Sequence, residues 1–397
     1  MRTVFLVGVL AFTVVPGCKK KEAASVTAGA GSDRAAGAAA APGCVTRLAS
    51  GSLPEGDIVL TKACGPVTVE DEVWIDAKVT IEPGVTLRFA PRAALGIGAL
   101  KAGTLIAQGT AEAPIVFTSA GDKVAGAWSG IVIMSQSHRS RLENAVIEYA
   151  GASAHEAVLE VNGEDTAVKN VTIRNGKGWG VLATGKRQLE SVDGCAFQDL
   201  EKGAMHLSSY QLPALGTNTY DARAIVEIEG GGLDENATLH AGPTGATYRL
   251  TGVLTVGGDA VPVLTLDPGV VVEGTGDGQL EVGTNGAGSL KAIGSADKPI
   301  RFTAVEKTKG GWHGIFLNGN ARDVVIQHTV VEYADGDDQT GAIRTGEIVD
   351  QGAQATIEDV SFEHVKGVGL SVNRLAKVTT KDLKVVDAKA PEYRQPR

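Results

Sequence analysis

The chain has 397 residues, of which 43% are hydrophobic and 21% charged, so it is neither a disordered chain nor a polytopic membrane protein. A formal net charge of -9, with no Lys/Arg-rich block in the part expected to fold, excludes nucleic-acid binding through phosphate neutralisation. The 52 glycines and 5% aromatics suit short strands joined by tight turns better than long helices.

Met1-Arg2 gives a charged start, and an apolar run from Val4 to Val15 leads to Pro16, Gly17 and Cys18. The run is too short for a permanent membrane span and has the length of a signal-peptide core, so residues 1–17 are expected to be a signal peptide. Val15-Pro16-Gly17-Cys18 resembles a bacterial lipobox. The resemblance implies that Cys18 becomes the acylated first residue and tethers the chain to a membrane in the cell envelope. Lys19 in place of Asp then implies the outer membrane, facing either the periplasm or the cell surface. An ordinary secretory signal with an incidental cysteine is the alternative. Residues 18–43, rich in Ala, Gly and Ser, cannot bury enough surface to fold and are expected to form a flexible linker.

Export permits disulfides. Cys44 and Cys64 flank the first turns of the folded part, and a bridge between them would pin its open end. Cys195 aligns with the inward positions Ala145 and Val171 and is expected to be a buried, unpaired thiol. No histidine stands at a spacing that would activate it.

From Ile81 onward the chain is written twice. IEPGVTLRF (81–89) returns as LDPGVVVEG (266–274), and AQGTAEAPIVFTSA (107–120) as AIGSADKPIRFTAV (292–305). GAWSGIVIM (126–134) returns as GGWHGIFLN (310–318), and NAVIEYAG (144–151) as HTVVEYADG (328–336). Pro83 and Pro268 stand 185 residues apart (268 − 83), as do Pro114 and Pro299, and Trp128 and Trp312 differ by 184. Coincidence does not hold one offset through four motifs. The chain is a tandem duplication, with a first copy over 44–235 and a second, continuous with it, over 236–397.

Within each copy a looser period of about 23–26 residues aligns the segments starting at Asn144, Asn170, Gly194 and Asp359. Ala145/Ile147, Val171/Ile173, Cys195/Phe197 and Val360/Phe362 are apolar, and the residues between them are mostly polar, which is strand periodicity with one face inward. Each strand ends shortly before a glycine (Gly178, Gly203, Gly367), where a turn with positive φ is expected. Short strands repeating at this period without helical segments fit the coils of a parallel β-helix. A β-sandwich would need hairpin turns at regular spacing, and a propeller a blade of about 40–50 residues. The fold expected is all-β: a single-stranded right-handed parallel β-helix of roughly a dozen coils. EPGVTLRF, GTAEAPIVFTS, GAWSGIVI and LENAVIEYAG are similar to the β-helix modules of the pectin-lyase-like superfamily. The resemblance covers about residues 81–203 and 264–372 and implies a fold. It does not choose among the lyases, hydrolases and adhesins built on that fold.

Enzymes of that superfamily act on polysaccharide along a groove. Lyases pair acidic Ca²⁺ ligands with a basic Arg or Lys, and hydrolases cluster Asp residues ahead of a His and a basic pair. By this resemblance the acidic run Asp335-Gly336-Asp337-Asp338, which the first copy lacks, is the place for chemistry. Asp337, Asp338 and His364 are its catalytic candidates, with Arg374 and Lys377 downstream, and Asp335, Asp337 and Asp338 could hold Ca²⁺. The glycines that flank the hydrolase histidine are missing around His364, and a solvated loop between coils is the plainer reading. Trp128 and Trp312 hold equivalent places and are candidates for sugar stacking or, alternatively, for packing at the turn before an apolar strand. Outward Glu148, matched by Glu332, has Arg174 as a cross-coil partner. His138, His206, His240, His313 and His328 lack metal-ligand spacing, and no phosphate-binding glycine loop occurs.

The sequence therefore supports a monomeric, membrane-tethered β-helix that binds or scaffolds envelope or extracellular glycans and requires no cofactor. A polysaccharide lyase or glycoside hydrolase is the rival, and an adhesin with the rod as spacer is a third reading.

Overall fold

A computed structural model describes residues 43–152, 156–222 and 224–396. Cys18, the signal peptide and most of the linker lie outside the described residues. The rest is a right-handed parallel β-solenoid of about 12 turns. Strands are two to five residues long or merge in pairs across a corner, and every ladder between successive turns is parallel.

One early turn defines three sheets. Lys78–Ile81 belongs to the first, Thr86–Phe89 to the second and Ala94–Ile97 to the third. Alternate residues point inward and stack on the same position one turn away. On the second sheet Leu87, Phe117, Ile147, Ile173, Phe197 and Tyr220 are register partners in that order. All six are at most 2% exposed, so the interior is one unbroken apolar column. Each fully buried Leu, Ile or Phe contributes about 1.5–3 kcal/mol, and this column supplies most of what holds the coils together. The bridge Cys44–Cys64 closes the first turn, with a Cα–Cα distance of 5.4 Å.

The corners correct one expectation. Gly178 and Gly367 do not carry positive φ. A Cβ on Gly178 would come within 2.3 Å of the Glu156 carbonyl oxygen, and one on Gly367 within 2.4 Å of Asp337 backbone, so close approach selects glycine there. The left-handed residues stand a few positions earlier and are not glycines. Tyr149 (φ 65°), Asn175 (52°) and Asp199 (50°) form one stack, and Tyr333 (53°), His364 (52°) and Asp387 (60°) form its counterpart. A second series, Asn144, Asn170, His328, Asp359 and Asp382, bends long strands across a corner. Asn and Asp tolerate this conformation best. For Tyr and His it costs about 1–2 kcal/mol, offset by the ladders on either side.

The two copies are out of phase. The third sheet runs from Ala94–Ile97 through Gly130–Ile133, Ala157–Val161, Trp179–Ala183, Gly203–Leu207, Ile225–Ile228 and Thr247–Leu250 to Val271–Gly274, seven ladder steps in all. Val271–Gly274 is the repeat of Thr86–Phe89, which lies on the second sheet. The 185-residue offset is thus seven turns plus one face. Every motif of the second copy is carried round the axis by one sheet.

Candidate functional site

The acidic loop was the expected centre of chemistry, and its groups do not converge. The Asp335 carboxylate accepts from Lys366 Nζ at 3.0 Å and from the Gly336 N–H at 2.8 Å. Burial works against its charge, but Lys366 and the Gly336 amide outweigh that and hold it below its ordinary pKa. Asp337 turns back on its own loop and accepts from the Gln339 and Thr340 N–H groups, both at 2.7 Å, which lower its pKa. Asp338, 80% exposed, pairs with Lys389. His364 belongs to another cluster, with its Nδ1 3.2 Å from Asp387 and its ring stacked on Tyr333. Asp337, Asp338 and His364 therefore have separate partners and form no catalytic set. Downstream, Arg374 faces Glu347, at 3.7 Å.

The acids expected to hold Ca²⁺ are likewise partnered. Two lysines and three backbone amides already answer the charge of Asp335, Asp337 and Asp338. Among the described residues no group of three or more His, Cys, Asp or Glu side chains is placed to hold a metal. The tryptophans are corrected too. Trp128 and Trp312 are fully buried, so neither indole has a face to offer a sugar. Trp128 lies 3.8 Å from the Phe89 ring in a stack and donates from Nε1 to the Glu148 carbonyl. Trp312 makes the same bond to the Glu332 carbonyl. Cys195 is buried, and burial pushes its thiol up to about 12, which leaves it inert as a nucleophile.

The stacked corners build what the sequence reading did not anticipate. Lys123 reaches back to Thr118 Oγ1 (2.8 Å) and the Ser119 carbonyl (2.7 Å), and its ammonium stands 5.3 Å from the centroid of the Tyr149 ring. Beneath them Glu148, nearly buried, accepts from Thr118 Oγ1 and is held by Arg174 Nη2 at 2.7 Å. Beside the Tyr149 corner opens a cleft of about 470 Å³, lined by Lys123, Ala125, Tyr149, Asn175, Asp199 and Glu201. A further outward cluster lies on the seven-stranded sheet. There Arg344 sits 5.3 Å over the Phe316 ring and donates to the His313 carbonyl, and burial lowers its pKa.

With this geometry in hand, comparison with known families gives a match to the pectate-lyase like beta helix domain over residues 55–177 and 231–337, more than half of the chain. The chain belongs to that family. Comparisons with curated proteins and with solved structures find no match. Membership in the pectate-lyase like beta helix family agrees with the parallel solenoid and supports a carbohydrate-related role, nothing finer. The first matched segment falls in the first copy, and the second begins five residues before the second copy and runs into it. A signal for the cleft was present in the sequence: Tyr149 and Tyr333 follow Glu148 and Glu332 in both copies, an aromatic kept where the apolar alternation stops.

Proposed function

We propose that the protein is a non-catalytic glycan-binding or scaffolding module, tethered to the cell envelope through a lipid on Cys18. The observation that carries the first half is the state of its acids. Eight carboxylates, Asp335 and Asp387 among them, are held below their ordinary pKa by a cation, hydroxyl or amide. The general acid of a glycoside hydrolase working near neutrality needs the opposite, a carboxyl raised by burial or by a like charge. What the surface offers instead is open clefts lined by hydrogen-bonding groups, which suit recognition of hydroxyl-rich chains. The lipid anchor follows from the lipobox resemblance at residues 15–18.

The test is a panel of neutral, amino and uronate oligosaccharides, titrated by calorimetry and assayed for new reducing or unsaturated chain ends. The proposal expects saturable binding without new ends. New ends would establish the rival lyase or hydrolase, for which Arg344 is the place to look, since it combines partial desolvation with a neighbouring Asp335 charge. For the anchor, metabolic labelling with a fatty-acid probe should mark the full chain and be lost in Cys18→Ala. Labelling that survives the substitution would refute it.

A further inference from the structure

The two copies place the same corner in two states. Lys123, Tyr149, Asn175 and Asp199 in the first copy correspond to Lys307, Tyr333, His364 and Asp387 in the second. Both lysines make the same anchoring bonds: Lys307 Nζ reaches Thr303 Oγ1 at 2.9 Å and the Ala304 carbonyl at 2.7 Å, and stands 5.7 Å from the Tyr333 ring. The copies differ at two positions that decide whether the corner is open. In the second, His364 lays its imidazole against Tyr333, with centroids 5.3 Å apart and planes 18° from parallel, and it bonds Asp387. Lys309 takes the other Asp387 oxygen at 2.7 Å. The first copy has Asn175 in place of His364 and Ala125 in place of Lys309, and both residues line the cleft of about 470 Å³. Among the described residues, the Asp199 and Glu201 carboxylates have no side-chain partner there.

We propose that the Tyr149 corner is a binding subsite for a pyranose ring, with preference for an amino sugar, and that His364 and Lys309 are the second copy's built-in occupants of the equivalent space. The proposal rests on the glycan-binding reading above and names its site. An imidazole stacked on Tyr333 and bonded to Asp387 presents a flat apolar face with a polar edge. A sugar ring offers the same pairing of faces to Tyr149 and Asp199. The free groups of the cleft select among sugars. The Lys123 ammonium is already spent on Thr118 and Ser119, so Asp199 and Glu201 set the local charge. A uronate is repelled, a neutral sugar is accepted, and a protonated amine beside either carboxylate is favoured.

The experiment titrates the full chain with glucosamine, glucose and galacturonate oligomers of equal length. The expected order of affinity is glucosamine, then glucose, then galacturonate. Tyr149→Ala should weaken the glucosamine oligomer about fivefold to tenfold, the range that loss of one ring contact gives. The triple change His364→Asn, Lys309→Ala and Lys389→Glu, which brings in the first copy's Asn175, Ala125 and Glu201, should raise the stoichiometry from one site to two. Binding that Tyr149→Ala leaves untouched would show diffuse attraction to an acidic surface and overturn the subsite while leaving glycan binding intact. No binding by any oligomer would overturn both. A retained circular dichroism spectrum and melting temperature in each variant guards against unfolding as the cause.

Discussion

The first and second copies descend from one module, yet they hold equivalent acids by different means. Glu148 takes its arginine from the following turn, Arg174, and Glu332 takes its own from the preceding turn, Arg301 Nη1 at 2.8 Å. Where the second copy has Arg301 the first has Val116, and where the first has Arg174 the second has Glu363. A nearly buried carboxylate must find a cation within one turn, but the solenoid leaves open which neighbour supplies it. The same freedom appears at the corner stacks, where one copy fills with His364 and Lys309 what the other leaves open. The interior permits no such latitude: Trp128 and Trp312, and Phe117 and Phe302, are buried alike.

The sharpest way to break this comparison is to remove its shared anchors. Trp128→Ala and Trp312→Ala should each cost about 3–5 kcal/mol in denaturant unfolding, from lost packing plus a stranded carbonyl. Trp128→Ala should cost more, because its indole stacks on Phe89 at 3.8 Å whereas Trp312 and Phe302 are 6.4 Å apart. A change below about 1 kcal/mol in either would mean that the indoles are not core. Next in size is the bridge that only the first copy carries. Cys44→Ser with Cys64→Ser opens a loop of sequence separation 20 and should cost about 3 kcal/mol, read as an earlier loss of protection in residues 47–75. Equal loss along the rod would show that the end is not locally pinned.

A smaller effect separates two regions of the rod by pH. Asp335, Asp337, Asp359 and Asp387 are all held low in the second copy, the last two by Lys384 with His328 and by Lys309 with His364. A carboxylate whose folded pKa is depressed stabilises the fold above its unfolded value, and that stability is lost as pH falls through the folded one. Acidification from pH 5 toward pH 2 should therefore loosen Gly341–Thr345 and Lys377–Val386, which these carboxylates border, before Trp179–Ala183 in hydrogen exchange. Simultaneous loosening would contradict the assignment.

Much of the fold was legible because inward positions must stay apolar in every turn. Ile147, Ile173 and Phe197 align in the sequence and pair in the ladder. The phase was not legible. Turns vary in length, from 20 residues between Val67 and Leu87 to 36 between Leu95 and Ile131, so an offset in residues does not count turns. The site was misread for a related reason. Acidity drew attention to Asp335–Asp338, but only coordinates show each charge already answered, and the left-handed corners fall on Tyr and His, residues that carry no turn signal.

The central claim is that the second copy continues the solenoid one sheet out of phase, and the decisive joint is where Ile225–Ile228 stacks. In the structure Glu227 of the first copy is the register partner of Arg249 of the second on the third sheet. If phase were kept, Thr247–Leu250 would lie over Thr219–Tyr220 on the second. Oxidising the variant Glu227→Cys with Arg249→Cys should close a disulfide, because neighbouring outward positions on adjacent parallel strands lie within bridging distance. Cross-linking of Thr219→Cys with Thr247→Cys, and none of the first pair, would place the copies in phase and contradict the arrangement.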